Sequence, residues 1–258
     1  MFRFNLTRYC PSLGSLKMLT PIEKFPAYIR VAKAIESEIV EGRLNIGDQL
    51  PTEQALAQQL GVHRSTVREG MRALENAALL MRGPGKRLVV SAPPPEMIAE
   101  VNTRAIRFMH VTFRDLWEVQ MTLEPFAARL AAERADDQLI AALAKNVAAL
   151  EERLEDDVFI MENDVEFHRL VSEATGNPVM DMAGRPTGGL LLSATKDLYV
   201  AVPQARVRLL AAHKAIHAAI AAHDPKRSER WMQRHIMDFK RGYEVGGLDM
   251  GAPLSASK

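Results

Sequence analysis

The stretch GVHRSTVREGMRALE, Gly61 to Glu75, decides the fold of the first part of the chain. From Arg64 onward, Val67, Met71 and Leu74 recur at helical spacing and make one apolar stripe, so a helix is predicted to about Ala77. Arg64, Arg68 and Arg72 stand four apart, and Arg64 and Arg68 fall on the side away from that stripe. The segment before it, DQLPTEQALAQQL, opens a shorter helix at Thr52 and Glu53 and carries Leu56 and Leu60. Gly61 then supplies the residue that tolerates a left-handed helix end. Helix, tight turn and helix let the second helix enter a DNA major groove by its N-terminal end, where Ser65 and Thr66 lie. Arginine is suited to that place because its planar fork takes guanine edges or phosphates bidentately. Three arginines on an arbitrary helix are more often plain solvation, and here the neighbouring elements tip the balance.

Those neighbours extend the pattern in both directions. Upstream, PAYIRVAKAIESEIVEGRL places Ile29, Ala32, Ile35, Ile39 and Val40 at helical spacing, with Gly42 as a stop. Downstream, ALLMRGPGKRLVVS sets two short apolar strands around Arg82-Gly83-Pro84-Gly85-Lys86, which is a hairpin pattern and would form a wing. Gly70 is placed mid-helix at a cost of about 1 kcal/mol relative to alanine. Nothing in the sequence explains it.

The whole chain has 258 residues, 47% apolar and 25% charged, the mix of a globular protein with one large or two ordinary domains. Its formal net charge of +1 conceals a division at Pro93-Pro94-Pro95. Residues 1–95 carry 13 Lys and Arg against 8 Asp and Glu, whereas residues 96–258 carry 20 against 24. A basic first part suits a polyanionic partner. Three successive prolines make a semi-rigid spacer, so the expected organisation is a leader at 1–23, a winged helix-turn-helix at 24–92, a linker at 93–96, a helical domain at 97–245 and a flexible tail at 246–258. The leader has no continuous apolar core of the secretory kind. No apolar run approaches the roughly 20 residues needed to cross a bilayer, and the single cysteine, Cys10, fits a reducing cytoplasm.

The larger part reads as about seven helices, at 96–110, 113–134, 136–154, 157–175, 178–201, 203–223 and 226–243, punctuated by Asp136-Asp137, Gly176-Asn177-Pro178, Pro203 and Asp224-Pro225. Pro186, Gly188 and Gly189 are expected to break or kink the fifth of these. The fold class is therefore mainly α, a winged helix-turn-helix followed by an all-α bundle.

Polar residues on the apolar stripes of that bundle carry its chemistry. In FIMENDVEFHRLVSEATGN the buried side runs through Ile160, Asp164, Phe167, Val171 and Ala174, and His168 adjoins it one turn after Asp164. The stripe of VRLLAAHKAIHAAIAAH includes His213, and that of RWMQRHIMDFKRGY includes His235. A single histidine on an apolar face is more often a hydrogen-bonded core residue, but one aspartate and three histidines from three helices form a set that suits a divalent transition metal. His217, one turn after His213, could be a further ligand or a supporting neighbour.

Two resemblances follow from these motifs. LPTEQALAQQLGVHRSTVREGMRALENAALL followed by RGPGKRLVV resembles the winged helix-turn-helix of the GntR family of bacterial transcription regulators over Pro26 to Ser91. That resemblance implies double-stranded operator DNA as partner, contacted by Arg64, Ser65, Thr66 and Arg68 from the recognition helix and by Gly85 and Lys86 from the wing. Thr52 and Gln54, at the start of the shorter helix, complete the expected face; the family often has arginine where this chain has Gln54. LWEVQMTLEPFAARLAAERA, NDVEFHRLVSEATGNP, AHKAIHAAIAAHDP and MQRHI resemble the all-helical FCD effector domain of the FadR-like branch, over about 110–240. It implies a divalent metal (zinc, nickel or manganese) on Asp164, His168, His213 and His235. It also implies a carboxylate effector beside Gln120 and His217, a homodimer and a repressor relieved by its ligand. Many members have arginine where this chain has Gln120. The competing readings are a metal-dependent enzyme that uses the winged helix for assembly, and a winged helix that makes only protein contacts.

Overall fold

The computed structural model describes residues 25–253, and their side chains except at 186–189 and 191–194. The expected leader at 1–23 and the end of the expected tail, 254–258, lie outside the described residues. The chain divides into two compact units at Ala92 and Pro93. Among the described residues no helix is long and apolar enough to cross a membrane.

The first unit contains α1 (Ala27–Val40), α2 (Glu53–Leu60), α3 (Arg64–Asn76) and the antiparallel strands β1 (Leu80–Arg82) and β2 (Leu88–Val90). Thr52 caps α2 by accepting the Ala55 amide at 3.2 Å, and Gly61 closes it at φ 62°. His63 caps α3: its Nδ1 accepts the Ser65 amide at 3.3 Å. The core is Val31, Ile35, Leu50, Leu56, Val67, Met71, Leu74, Leu80 and Val90. On α1 the buried face is therefore Val31 and Ile35, rotated from the expected stripe, and Val40 is 80% exposed because the helix ends there beyond the reach of α3.

Gly70 acquires an explanation in the packing of α1 on α3. A Cβ built on it would stand 2.8 Å from Val31 Cγ1 and 2.9 Å from the Tyr28 carbonyl oxygen. The cost in helix propensity is the price of that close approach.

The second unit is all helical: α4 (Pro95–Phe108), α5 (Phe113–Arg134), α6 (Asp137–Glu152), α7 (Asp157–Glu173), α8 (Pro178–Ala201), α9 (Ala205–Ala221) and α10 (Pro225–Val245). Each of α6, α7, α8 and α10 starts on an Asp or Asn whose side chain accepts a backbone amide of the first turn. Helix α5 starts on a reciprocal Thr112–Asp115 capping box. The expected break at Pro186, Gly188 and Gly189 does not occur, and α8 runs on through them. It packs on α4, α5 and α7, and tertiary packing of this extent outweighs local propensity. Ile160, Phe167, Ile216 and Ile220 are fully buried, each contributing about 1.5–3 kcal/mol by removal from water. Residues 246–253, read from the sequence as part of a flexible tail, run back against α5. The Arg114 amide donates to the Met250 carbonyl at 3.0 Å, and Pro253 bridges to Thr112.

Candidate functional site

Two sites are built by these units. In the first, α3 presents Arg64, Ser65, Thr66 and Arg68 from its N-terminal turns, and the wing presents Gly85 and Lys86 at positive φ (70° and 63°) on its tip. Gln54 is exposed on α2, whereas the Thr52 hydroxyl is engaged as that helix's cap. Sequence reasoning missed Glu53. Its carboxylate accepts from Arg64 Nε at 2.7 Å and from Arg68 Nε and Nη2 at 3.0 and 2.9 Å, and these two arginines hold its carboxyl down at about 2. One acidic side chain thus fixes two recognition-helix guanidiniums in orientation. The signal was its position, since the first residue of α2 faces the start of α3 across the turn. A groove of about 360 Å³ between α2, α3 and the wing also takes in Arg72 of the arginine series, with Arg87 and with Arg82, which pairs with Glu75 of the same lining.

In the second unit, Asp164, His168, His213 and His235 each offer one ligand atom, and these atoms all lie within 4.8 Å of one another. Helix α7 supplies Asp164 and His168 one turn apart, α9 supplies His213 and α10 supplies His235. His213 is fully buried and stacks on Phe167, with centroids 3.7 Å apart and planes 9° apart, which sets the plane of its ring. His168 Nε2 and His235 Nε2 face each other at 3.1 Å. His213 Nε2 and Asp164 Oδ1 are also 3.1 Å apart but are not aligned for a hydrogen bond, and both are buried without another partner.

That arrangement fits a cation. With metal–nitrogen distances of about 2.0–2.1 Å, two imidazole nitrogens on one ion stand roughly 3 Å apart. Ligand atoms that converge in a buried space, with His213 Nε2 and Asp164 Oδ1 lacking any aligned hydrogen-bond partner, are the expected form of a ligand set.

The electrostatics agree with the geometry. Burial works against a charge on Asp164, but the three histidines around it prevail and hold its carboxyl at about 2. Burial lowers His213 and lowers His235 well below the ordinary imidazole value, so both rings are neutral donors of a lone pair. His168 differs. Burial opposes its charge too, yet Glu124 and Asp164 outweigh burial and raise it to about 9 without an ion. Glu124, buried on α5, lies 3.0 Å from His168 Nδ1. It takes that ring's outward proton and directs Nε2 toward the cluster, the usual way a carboxylate orients a metal-binding histidine. Sequence reasoning missed Glu124 too. Leu116, Gln120, Glu124 and Ala128 follow one another at four-residue spacing, so it stands on an apolar stripe in the same manner as Asp164.

A cavity of about 610 Å³ opens beside the cluster, lined by Asp164, His168, Glu124 and the buried Gln120, with Met161, Val165 and Thr195 among its walls. Arg104, Arg107, Arg169 and Arg185 stand on its lining as well, an array of guanidiniums from α4, α7 and α8 that sequence reasoning did not pick out. Arg185 bridges Asp181 and Glu96 at 2.8 Å each and so ties α4 to α8. His217 is not brought to this cavity. Its ring interacts with the backbone of Ile140 on α6, because one helical turn from His213 carries it past the cluster toward the neighbouring helix.

Comparison with known proteins decides the family. Residues 27–90 match the model described as bacterial regulatory proteins, gntR family, and residues 115–238 match that of the FCD domain. The HTH-type transcriptional repressor NanR of Salmonella newport is 30% identical over 236 residues, which cover 87% of this chain and 88% of that protein. The chain belongs to the GntR family of bacterial regulatory proteins. The repressor of the same name from Salmonella typhi is 29% identical, with 87% of each chain covered. A solved GntR structure from Streptococcus agalactiae is 27% identical with a TM-score of 0.60, and covers 83% of this chain and 99% of its own. The protein is thus a DNA-binding regulator of transcription, with a GntR winged helix and an FCD domain, and the enzyme reading falls away.

Proposed function

We propose that this regulator is a homodimeric, cytoplasmic repressor whose helical domain holds a divalent transition metal and releases DNA in response to a small organic acid. In this reading the DNA-binding domain is 24–92, the linker 93–96 and the effector domain 97–245. Arg64, Ser65, Thr66, Arg68 and Gln54 meet the major groove, and Gly85 and Lys86 meet the flanking backbone. A dimer is required by the two half-sites of a two-fold operator, since one winged helix alone buries too little surface.

The observation that carries the reading is the ligand set of Asp164, His168, His213 and His235, which meets a 610 Å³ cavity through Asp164 and His168. Three imidazoles and a carboxylate suit zinc, nickel or manganese, and leave room for an oxygen ligand from the cavity side. When bound, the ion supplies a fixed positive charge for the effector's carboxylate. Gln120 then donates its amide to that carboxylate without adding charge, and Arg107, which has no carboxylate within ion-pair distance among the described residues, receives a further acidic or hydroxyl group. The names of the curated relatives support repression as the output.

The test is fluorescence anisotropy with operator DNA obtained by in vitro selection, titrated with small carboxylic, sugar and amino acids, with and without added metal. Release of DNA by an acid, dependent on metal, is the expected result. Protein purified without chelator or a nickel column that contains no stoichiometric metal, and refuses zinc, nickel and manganese, would overturn the metal reading.

A further inference from the structure

A second pocket lies behind the cluster, away from the effector cavity. It has a volume of about 270 Å³ and is walled by Leu198, Leu209, Trp231 and Phe239 from α8, α9 and α10. His235 forms part of its lining. That ring turns Nε2 to His168, while its Nδ1 has no hydrogen-bond partner among the described residues and is not closed off as a buried orphan. This contrasts with His168, whose Nδ1 is engaged by Glu124. At the mouth, Arg208 is paired with Asp238 at 2.7 Å, but the exposed Arg234 has no carboxylate within ion-pair distance among the described residues and only overhangs the Trp231 ring at 5.2 Å.

We infer that this pocket is a second small-molecule site, for a planar aromatic acid carrying a hydrogen-bond acceptor at the end opposite its carboxylate. The apolar and aromatic walls take the ring. The unpartnered Arg234 meets the carboxylate at the mouth. The acceptor at the inner end takes the proton on His235 Nδ1, in the role that Glu124 fills for His168. The two pockets meet the cluster on different ligands, Asp164 and His168 on one side and His235 on the other. Binding at the second therefore reaches the ligand set directly. The pocket itself stands on geometry that does not require an ion.

The experiment is isothermal titration of the intact protein with 4-hydroxybenzoate, with benzoate and phenol as comparisons lacking the acceptor and the acid respectively. The variants are Arg234→Glu and Ala211→Trp, both at exposed positions of the lining where folding should tolerate change. The inference expects one-to-one binding that survives chelation of metal, is at least tenfold weaker for both comparison compounds, and is at least tenfold weaker in both variants. It is overturned if the protein takes up no 4-hydroxybenzoate at millimolar concentration. It is equally overturned if chelation alone abolishes binding and the variants do not, because the carboxylate is then held by metal in the effector cavity. Should Ala211→Trp split the dimer in sedimentation while uptake is unchanged, the pocket is a subunit contact and the inference fails.

Discussion

Replacing Glu124 by Gln keeps the shape of the side chain and an oxygen for His168 Nδ1–H, but removes the negative charge at 3.0 Å. A carboxylate in this position raises the basicity of the metal-binding ring, and losing such a partner typically costs about 10–100-fold in metal affinity, or about 1.4–2.7 kcal/mol. The pH decides how much of that loss is seen. Without metal, His168 is raised to about 9, so in the wild type an ion must displace a proton at neutral pH. At pH 7 that competition weakens wild-type binding, and it fades as pH rises toward about 9. The Gln variant lacks most of the upward push and escapes much of the competition. The expected outcome, read by competition with a chromophoric chelator, is a wild type that binds zinc about 10–100-fold more tightly than Glu124→Gln at pH 9, with the gap narrowing or closing at pH 7. The sign carries over to the metal-free fold: a raised imidazole stabilises it below the unfolded value of about 6.5, and that contribution is lost as pH rises through about 9. Equal affinities at pH 9, or a gap that does not change between pH 7 and 9, would refute the role given to Glu124.

Four further perturbations test the remaining elements. Gly70→Ala gains about 1 kcal/mol of helix propensity but forces a Cβ to within 2.9 Å of a backbone oxygen that cannot rotate away, and overpacking of this kind costs about 1–3 kcal/mol; thermal unfolding of the intact protein should therefore show a less stable first unit, and a more stable one would contradict the packing account. Arg68→Ala should weaken operator binding by about 1–3 kcal/mol and relax preference at one position of each half-site, read by anisotropy on a panel of operator variants. Glu53→Gln should release Arg64 and Arg68 from their shared carboxylate, raise affinity for random duplex and lower the ratio of specific to non-specific binding; an unchanged ratio would deny Glu53 its orienting role. His213→Ala should lower bound metal in elemental analysis and should leave thermal stability indifferent to chelator, whereas chelation should destabilise the wild type.

The first unit was legible because its information is local. Val67, Met71 and Leu74 define the stripe, Gly61 and the Gly83–Lys86 turn punctuate it, and the elements follow one another between Ala27 and Val90. What stayed hidden there depends on which elements touch. Gly70 is intelligible only once α1 lies on α3, and Glu53 only once the turn carries it against Arg64 and Arg68. In the second unit the helix ends were readable from Asp136, Asn177 and Asp224, whose side chains cap the helices that follow. Pro186, Gly188 and Gly189 misled because local propensity has no knowledge of the helices that α8 packs against.

The same distinction governs the cluster. Asp164, His168, His213 and His235 could be singled out because each is polar on a stripe otherwise apolar, and that criterion needs no contact information. Applied evenly it also selects Gln120 and Glu124 on α5, whose roles differ: both line the cavity, but Glu124 in addition grips His168 through its Nδ1. The stripe tells that a polar group is buried, and therefore that it must have a partner. Which partner it has is fixed by the angle at which α5, α7, α9 and α10 meet. His217 shows the converse. It follows His213 by one turn and looks equivalent in sequence, yet a further turn along α9 places it against Ile140. A ligand set drawn from three helices is confined to the level where their stripes converge, so one turn separates a residue of the cluster from a residue of the neighbouring wall.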